Sequence, residues 1–103
     1  MIYAITFRID HVGDYDARYD SFVKAITAQA EGIGGWWAEP TSFYLLRSSN
    51  TAVELADTIV AASKFDALRD LLVVIHISGV KGHAVRGAYA DKDVLTLLAE
   101  RSK

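Results

Sequence analysis

The sequence predicts a small domain of the α+β class, and three observations support this prediction. The chain has 103 residues, of which 51% are hydrophobic and only one is proline, which is typical of one globular domain. Two main stretches repeat apolar residues at helical spacing, and four shorter stretches are alternately or continuously apolar, as strands are. No linker, internal repeat or low-complexity segment is visible, so we expect residues 1–103 to form a single domain.

The first strand is predicted over residues 2–10, and a helix follows from Asp14 to about residue 31. The odd positions of the strand are uniformly large and apolar, which predicts that they face the helices. Asp14 is suited to cap the helix, and the glycine-rich residues 32–35 are suited to end it. The helix positions that we predict to be core are Tyr15, Tyr19, Phe22, Val23 and Ile26.

Residues 36–39 and 42–47 are predicted to be two strands of a hairpin that turns at Pro40 and Thr41. Asn50 or Thr51 then caps a second helix over about residues 52–63. The inward positions of this helix are predicted to be Ala52, Leu55, Ala56 and Ile59.

The last third of the chain is predicted to contain a buried strand and a helix. Residues 71–78 are nearly continuously apolar and β-branched, which predicts a central strand covered on both faces. A short edge strand is predicted near residues 84–86. Asp91 is suited to cap a last helix with Val94, Leu97 and Leu98 on one face.

These elements follow the order β-α-β-β-α-β plus a C-terminal helix, which is the arrangement of a ferredoxin-like sandwich. In this α+β fold both main helices lie on one face of an antiparallel sheet. The opposite face is predicted to be open, and it needs a partner, a ligand or the C-terminal helix to cover it.

Composition excludes several classes of site. The net charge is −2, so no overall basic field attracts nucleic acid. The chain has no cysteine, which excludes disulfides, iron–sulfur clusters and a cysteine nucleophile. No apolar run is long enough to span a bilayer, and the N-terminus does not read as a signal peptide. We therefore expect no membrane association and a cytoplasmic location.

The acidic turn after the first strand is the first candidate site. Asp10, His11, Asp14 and Asp16 lie close together in the sequence, and carboxylates are the hard oxygen ligands that Mg²⁺ or Mn²⁺ prefers. The alternative is a solvated turn in which Asp14 caps the helix and Asp16 complements its dipole. The residues alone favour this alternative.

Two aromatic residues and one basic residue form a second candidate. Trp36 and Trp37 are adjacent, so on a strand they point to opposite faces, and we expect one of them to be core. The other is predicted to lie on the open face or an edge, where tryptophan commonly anchors an interface. Arg47 ends the hairpin on the same layer. His76 interrupts an apolar strand and is interpreted as a core or interface histidine.

The middle of the chain also resembles a known family. Residues 35–57 contain Trp36-Trp37, then Ser42-Phe43-Tyr44, two leucines, Arg47 and the helix start Thr51-Ala52-Val53-Glu54. This pattern resembles the small bacterial proteins labelled SinR-like. These proteins in turn resemble the ferredoxin-like CRISPR-associated endonucleases and the VapD-type ribonucleases.

The resemblance implies a homodimer in which the open sheet faces meet. In the nuclease relatives, an aspartate that follows an aromatic residue near the end of strand 1 binds a divalent metal for phosphodiester hydrolysis. Here the aromatic residue is Phe7 and the next residue is Arg8, which cannot bind a metal. Asp10 lies two residues further on and is the candidate substitute, and Asp14 is the candidate second metal ligand. Arg8 is suited instead to hold a phosphate or a carboxylate.

Three functional hypotheses follow. The first is a non-catalytic or weakly active nuclease-like homodimer that acts on nucleic acid or a protein partner through its dimer surface, with Arg8, Arg47 and Trp37 as candidate binding residues. The second is an active Mg²⁺- or Mn²⁺-dependent nuclease that uses Asp10. The third is a protein- or small-molecule-binding module without phosphate chemistry.

Overall fold

The computed structural model describes residues 1–79 and 82–101 of the chain. Within these residues it contains one four-stranded antiparallel sheet and three helices, and it therefore belongs to the α+β class. The elements are β1 (Ile2–Arg8), α1 (Tyr15–Ala28), β2 (Trp36–Trp37), β3 (Phe43–Arg47), α2 (Ala52–Ala61), β4 (Leu71–His76) and α3 (Asp93–Glu100).

The strand order is β2-β3-β1-β4, so β1 is paired on both sides. Ile5 of β1 lies opposite Tyr44 of β3 and Val74 of β4. The odd residues of β1 are buried against α1 and α2, which confirms the predicted alternation. The fully buried members of this first core cluster are Tyr3, Ile5, Phe7, Ile9, Phe22, Ala25, Ile26, Leu46, Leu55 and Ile59.

The two helices on this face begin in different ways. Thr51 accepts a hydrogen bond from the Glu54 amide (3.1 Å), and the Glu54 carboxylate accepts one from the Thr51 amide (2.9 Å), so α2 starts with a complete capping box. Asp14 occupies the N-cap position of α1, but its side chain makes no cap hydrogen bond. Its predicted capping role is wrong, because its carboxylate is engaged by arginines instead.

The predicted hairpin is present, with Trp36 opposite Leu46 and Trp37 opposite Leu45. Ser42, which precedes β3, adopts a left-handed backbone conformation with a φ of 60°. The prediction that one tryptophan is core and the other lies on the open face or an edge is confirmed in part. Trp36 is 43% exposed at the edge of the sheet, and Trp37 is only half-buried on the opposite face, against the second core described below.

The prediction that residues 71–78 form a central, doubly covered strand is also wrong. β4 is an edge strand of the described sheet. Leu72 and Val74 pack into the first core, but Leu71, Val73 and Ile75 on the opposite face are 49%, 37% and 49% exposed. A continuous apolar run fits a strand whose second face is uncovered as well as one whose second face is buried.

The face opposite α1 and α2 carries a second, smaller core. Val94 and Leu97 of α3 are buried against Ile2 of β1 and Leu45 of β3. The last helix thus covers part of the predicted open face. It begins at Asp93, with Lys92 at the N-cap position, and the Asp91 carboxylate accepts a hydrogen bond from the Asp93 amide (2.9 Å).

Residues 82–91 lead to α3 along this same face. The predicted edge strand near residues 84–86 is wrong, since these residues form no ladder. Gly82 and Gly87, with φ of 92° and 100°, flank them and turn the backbone out of an extended course. Val85 nevertheless packs against the second core. None of the helices in the described part of the chain is long and apolar enough to cross a bilayer.

Candidate functional site

The end of β1 is organised by Arg18, a buried arginine on α1. Its side chain is 1% exposed and forms an ion pair with the Asp70 carboxylate, whose side chain is 0% exposed (2.5 Å from Nη1 to Oδ1). Its Nη2 donates to the carbonyls of Asp10 (2.9 Å) and Val12 (2.6 Å). Arg18 therefore holds the backbone of the acidic turn in place from the buried side.

Asp70 completes this network just before β4. Its Oδ1 accepts a hydrogen bond from the Asp10 amide (3.0 Å), and its Oδ2 accepts one from the Asp66 amide (3.0 Å). Burial opposes ionisation of Asp70, but the two amides and the Arg18 guanidinium outweigh burial and hold the pKa of this carboxyl below its ordinary value. The charged pair is thus fully hydrogen-bonded.

Asp14 is drawn into the same network, but at the surface. Its Oδ1 lies 2.8 Å from Arg18 Nε and 3.2 Å from Arg69 Nη2. The hydrogen bond from Arg18 is the largest of the effects that lower the pKa of Asp14. A metal ion at Asp14 would compete with two guanidinium groups for this carboxylate.

The remaining residues of the turn are less constrained. Asp10 is partly buried, and no described residue hydrogen-bonds its carboxylate, although its backbone is held on both sides. His11 is exposed, and its ring stacks on Tyr15 with centroids 3.7 Å apart. Among residues 1–79 and 82–101, no group of three or more His, Cys, Asp or Glu side chains is placed to hold a metal ion.

Arg8 lies at the end of β1, opposite Leu71 of β4, and its side chain is exposed. It makes no ion pair or hydrogen bond with the part of the chain that the structure describes. Because Arg8 shares its sheet face with Thr6, Leu71 and Val73, this cation borders the uncovered half of that face.

Arg47, the second predicted binding residue, is occupied within the chain. Its Nε and Nη2 bind the two Glu100 oxygens of α3 (2.9 and 2.5 Å). Its Nη1 donates to the carbonyls of Glu31 (2.9 Å) and Ile33 (3.1 Å). The Glu100 contact holds the pKa of Arg47 above its ordinary value. Arg47 therefore ties α3 and the turn after α1 to β3.

Trp37, the third predicted binding residue, lies on the face covered by α3. Its ring meets Phe43 edge-on with centroids 6.4 Å apart. Its Nε1 donates to the Glu39 carboxylate (3.0 Å), which also accepts from the amides of Ala90 and Asp91. The structure therefore does not bring the predicted site residues together at one place. Arg8 and Asp10 both lie at the end of β1, whereas Arg47 and Trp37 lie elsewhere and apart from each other.

Sequence reasoning missed the Arg18–Asp70 pair. The spacing of Asp14 and Arg18 along one helix was a visible signal, but nothing local connects Arg18 with a partner 52 positions away. Comparisons with protein-family models, curated proteins and solved structures find no match to this chain. The SinR-like resemblance therefore stays a prediction from the sequence.

Proposed function

We propose that this chain is a ferredoxin-like, nuclease-related homodimer with little or no catalytic activity, and that it binds nucleic acid or a protein partner through its dimer surface. The observation that carries the proposal is Arg8. It is an exposed cation without a partner in the described residues, at the position where the nuclease relatives are expected to hold their metal-binding aspartate.

The sheet supports the ferredoxin-like part of the proposal. The order β2-β3-β1-β4 with antiparallel neighbours is the order that a split βαβ arrangement produces. The helices α1 and α2 share one core on one face, as that arrangement requires.

The homodimer is supported by the uncovered strip on the other face. Leu71, Val73 and Ile75 project side by side from β4 and are partly exposed. β4 also has β1 as its one neighbour in the described sheet, and edge strands with apolar side chains favour association. A second copy seated on this strip would bring two Arg8 side chains to the border of one interface.

Low catalytic activity is supported by the charges around the turn. Asp14 is paired with Arg18 and Arg69, and Arg8 adds a positive charge where a nuclease needs a metal ligand. Such cations favour phosphate binding over metal binding.

The first experiment measures assembly. Val73→Asp places a charge in the centre of the strip, and we expect sedimentation velocity to show a dimer for the wild type and a monomer for this variant. Val53→Asp is the matched control, because Val53 is 70% exposed on α2 and its substitution should leave the dimer intact. A wild-type monomer would contradict the proposal.

The second experiment measures binding and cleavage together. Single-stranded RNA and duplex DNA are incubated with the protein in Mg²⁺ and in Mn²⁺, and binding is followed by fluorescence anisotropy as salt is varied. Arg8→Ala should weaken binding and reduce the salt slope by about one. Lys64→Ala, at an exposed position after α2, should change neither quantity. Robust cleavage by the wild type would overturn the proposal of low activity.

A second candidate function is an active nuclease that uses Asp10. It is favoured by one observation: no described residue occupies the Asp10 carboxylate, which leaves its oxygens available to a metal ion. In that case Asp10→Ala abolishes cleavage in Mg²⁺ or Mn²⁺ while circular dichroism shows an intact fold. If Asp10→Ala cuts as well as the wild type, this second function is excluded.

A further inference from the structure

We propose that the cavity between the sheet, α3 and residues 84–86 binds a small amphipathic carboxylate, with a hydrocarbon body and one anionic head group. The cavity has a volume of about 310 Å³. Its lining is drawn from all three elements and includes Trp37, Phe43, Leu45, Leu98, Val85 and Arg86.

The size and lining favour a hydrocarbon body. This cavity has about twice the volume of an engineered apolar cavity of about 150 Å³ that binds benzene. It is therefore large enough for a hydrocarbon body bigger than benzene. Apart from Trp37, which donates its Nε1 proton to Glu39, and Arg86, the lining side chains offer no hydrogen-bonding groups. A nucleobase would leave its polar edge unpaired here, whereas an alkyl chain would not.

Arg86 supplies the preference for an anion. It is exposed at the cavity, forms no ion pair with the described residues, and its Nη1 hydrogen-bonds only the carbonyl of Val85 (2.9 Å). Its remaining guanidinium protons are free to meet a carboxylate. Since ligand pockets typically combine an apolar lining with few polar anchors, Arg86 is suited to be that anchor.

Glu39 is the acidic residue to weigh against this assignment. It lines a second cavity of about 320 Å³ that shares Trp37, Val85 and Arg86 with the first. Its oxygens accept hydrogen bonds from the Ala90 and Asp91 amides and from Trp37 Nε1, and these bonds lower the pKa of Glu39. The Glu39 charge is thus compensated by other donors. In our proposal the carboxylate head group contacts Arg86 from within the first cavity, which Glu39 does not line.

Fluorescence of Trp37 provides a direct test. The chain has two tryptophans. Trp36 lies at the exposed edge of the sheet, on the face that packs against α1 and α2, so Trp36→Phe leaves Trp37 as the one indole. In this background we titrate octanoate, with uncharged octanol as the probe of equal chain length. We expect both to change Trp37 emission, with octanoate about fivefold tighter at low salt, as one exposed charged contact allows. Calorimetry on the wild type repeats the measurement without a substitution.

Two variants separate head-group recognition from cavity filling. Arg86→Met should make octanoate and octanol equal in affinity, while Lys24→Met, at an exposed cation of α1 outside the cavity, should keep the fivefold preference. Ala84→Phe should weaken both probes, because it fills the cavity. Equal affinities in the starting background, or a preference that survives Arg86→Met, would overturn the proposal, and so would the lack of binding by both fluorescence and calorimetry.

Discussion

The two faces of the sheet are packed to different extents, although β1 supplies residues to both. On one face, α1 and α2 bury a continuous core around Ile5 and Phe7. On the other, α3 covers Ile2 and Leu45 but leaves the β4 side chains exposed. Alternation along a strand therefore predicts which face a residue joins, but not how completely that face is covered.

Each face is also fastened by an arginine–carboxylate pair, and the two pairs differ in burial. The side chains of Arg18 and Asp70 are 1% and 0% exposed, whereas those of Arg47 and Glu100 are 23% and 26% exposed. Breaking a buried pair leaves an uncompensated charge in a medium of low dielectric constant. A partly exposed pair is screened by water, so its loss has a smaller cost.

The largest expected effect is on Arg18. Arg18→Met keeps much of the side-chain volume but leaves Asp70 buried without its cation, and we expect the free energy of unfolding to fall by about 3–5 kcal/mol. Urea denaturation followed by circular dichroism measures this loss. The double variant Arg18→Met with Asp70→Leu should regain part of it, since it removes both charges. A double variant less stable than Arg18→Met would contradict this explanation.

A smaller loss is expected in the second core. Leu97→Ala removes a fully buried side chain of α3, and we expect it to cost about 2–3 kcal/mol, the low end for buried leucine, because a short peripheral helix can relax into the space. Leu55→Ala, in the first core, is the comparison and should cost more. Equal losses would mean that the two faces are packed equally well. Urea denaturation of the two variants under the same conditions decides this.

The features that sequence reasoning predicted are local ones. Three predicted features are present: the alternation of β1, the β2–β3 hairpin, and a cap of α2 at Asn50 or Thr51, which is Thr51. Each depends on residues within a few positions of one another. The inward positions Phe22, Ile26, Leu55 and Ile59 follow from helical spacing and are buried.

The features that it missed depend on distant parts of the chain. That β4 is an edge strand follows from strand order, which no local pattern contains. Arg18 meets Asp70, and Arg47 meets Glu100, across 52 and 53 positions. The sequence predicts that Arg47 binds a partner outside the chain. Nothing near the end of β3 indicates that a carboxylate of α3 reaches this arginine.

Arg47 provides the third comparison. Arg47→Met removes the partly exposed pair with Glu100 and two hydrogen bonds to the turn after α1, and we expect a loss of about 1–2 kcal/mol. Hydrogen exchange should show the change mainly in α3. The loss should shrink at high salt, because the pair is screened there. A loss as large as that of Arg18→Met would remove the proposed difference between the two pairs.

The smallest expected effect is on how the free energy of unfolding changes with pH under acidic conditions. The pKa of Asp70 in the folded protein lies below its ordinary value of 3.8, so the folded state binds fewer protons than the unfolded state below about pH 4. Its contribution is therefore fully present above pH 4 and is lost as the pH falls through the folded pKa. Asp14 and Asp66 have lowered pKa values as well and act in the same direction.

In urea titrations between pH 6 and pH 2, about the range that spans these groups, Asp70→Asn should give a flatter profile of unfolding free energy against pH than the wild type. Asp14→Asn is the exposed comparison and should flatten the profile less, because water screens its pairs with Arg18 and Arg69. A profile for Asp70→Asn as steep as that of the wild type would show that the buried pair does not contribute to acid unfolding.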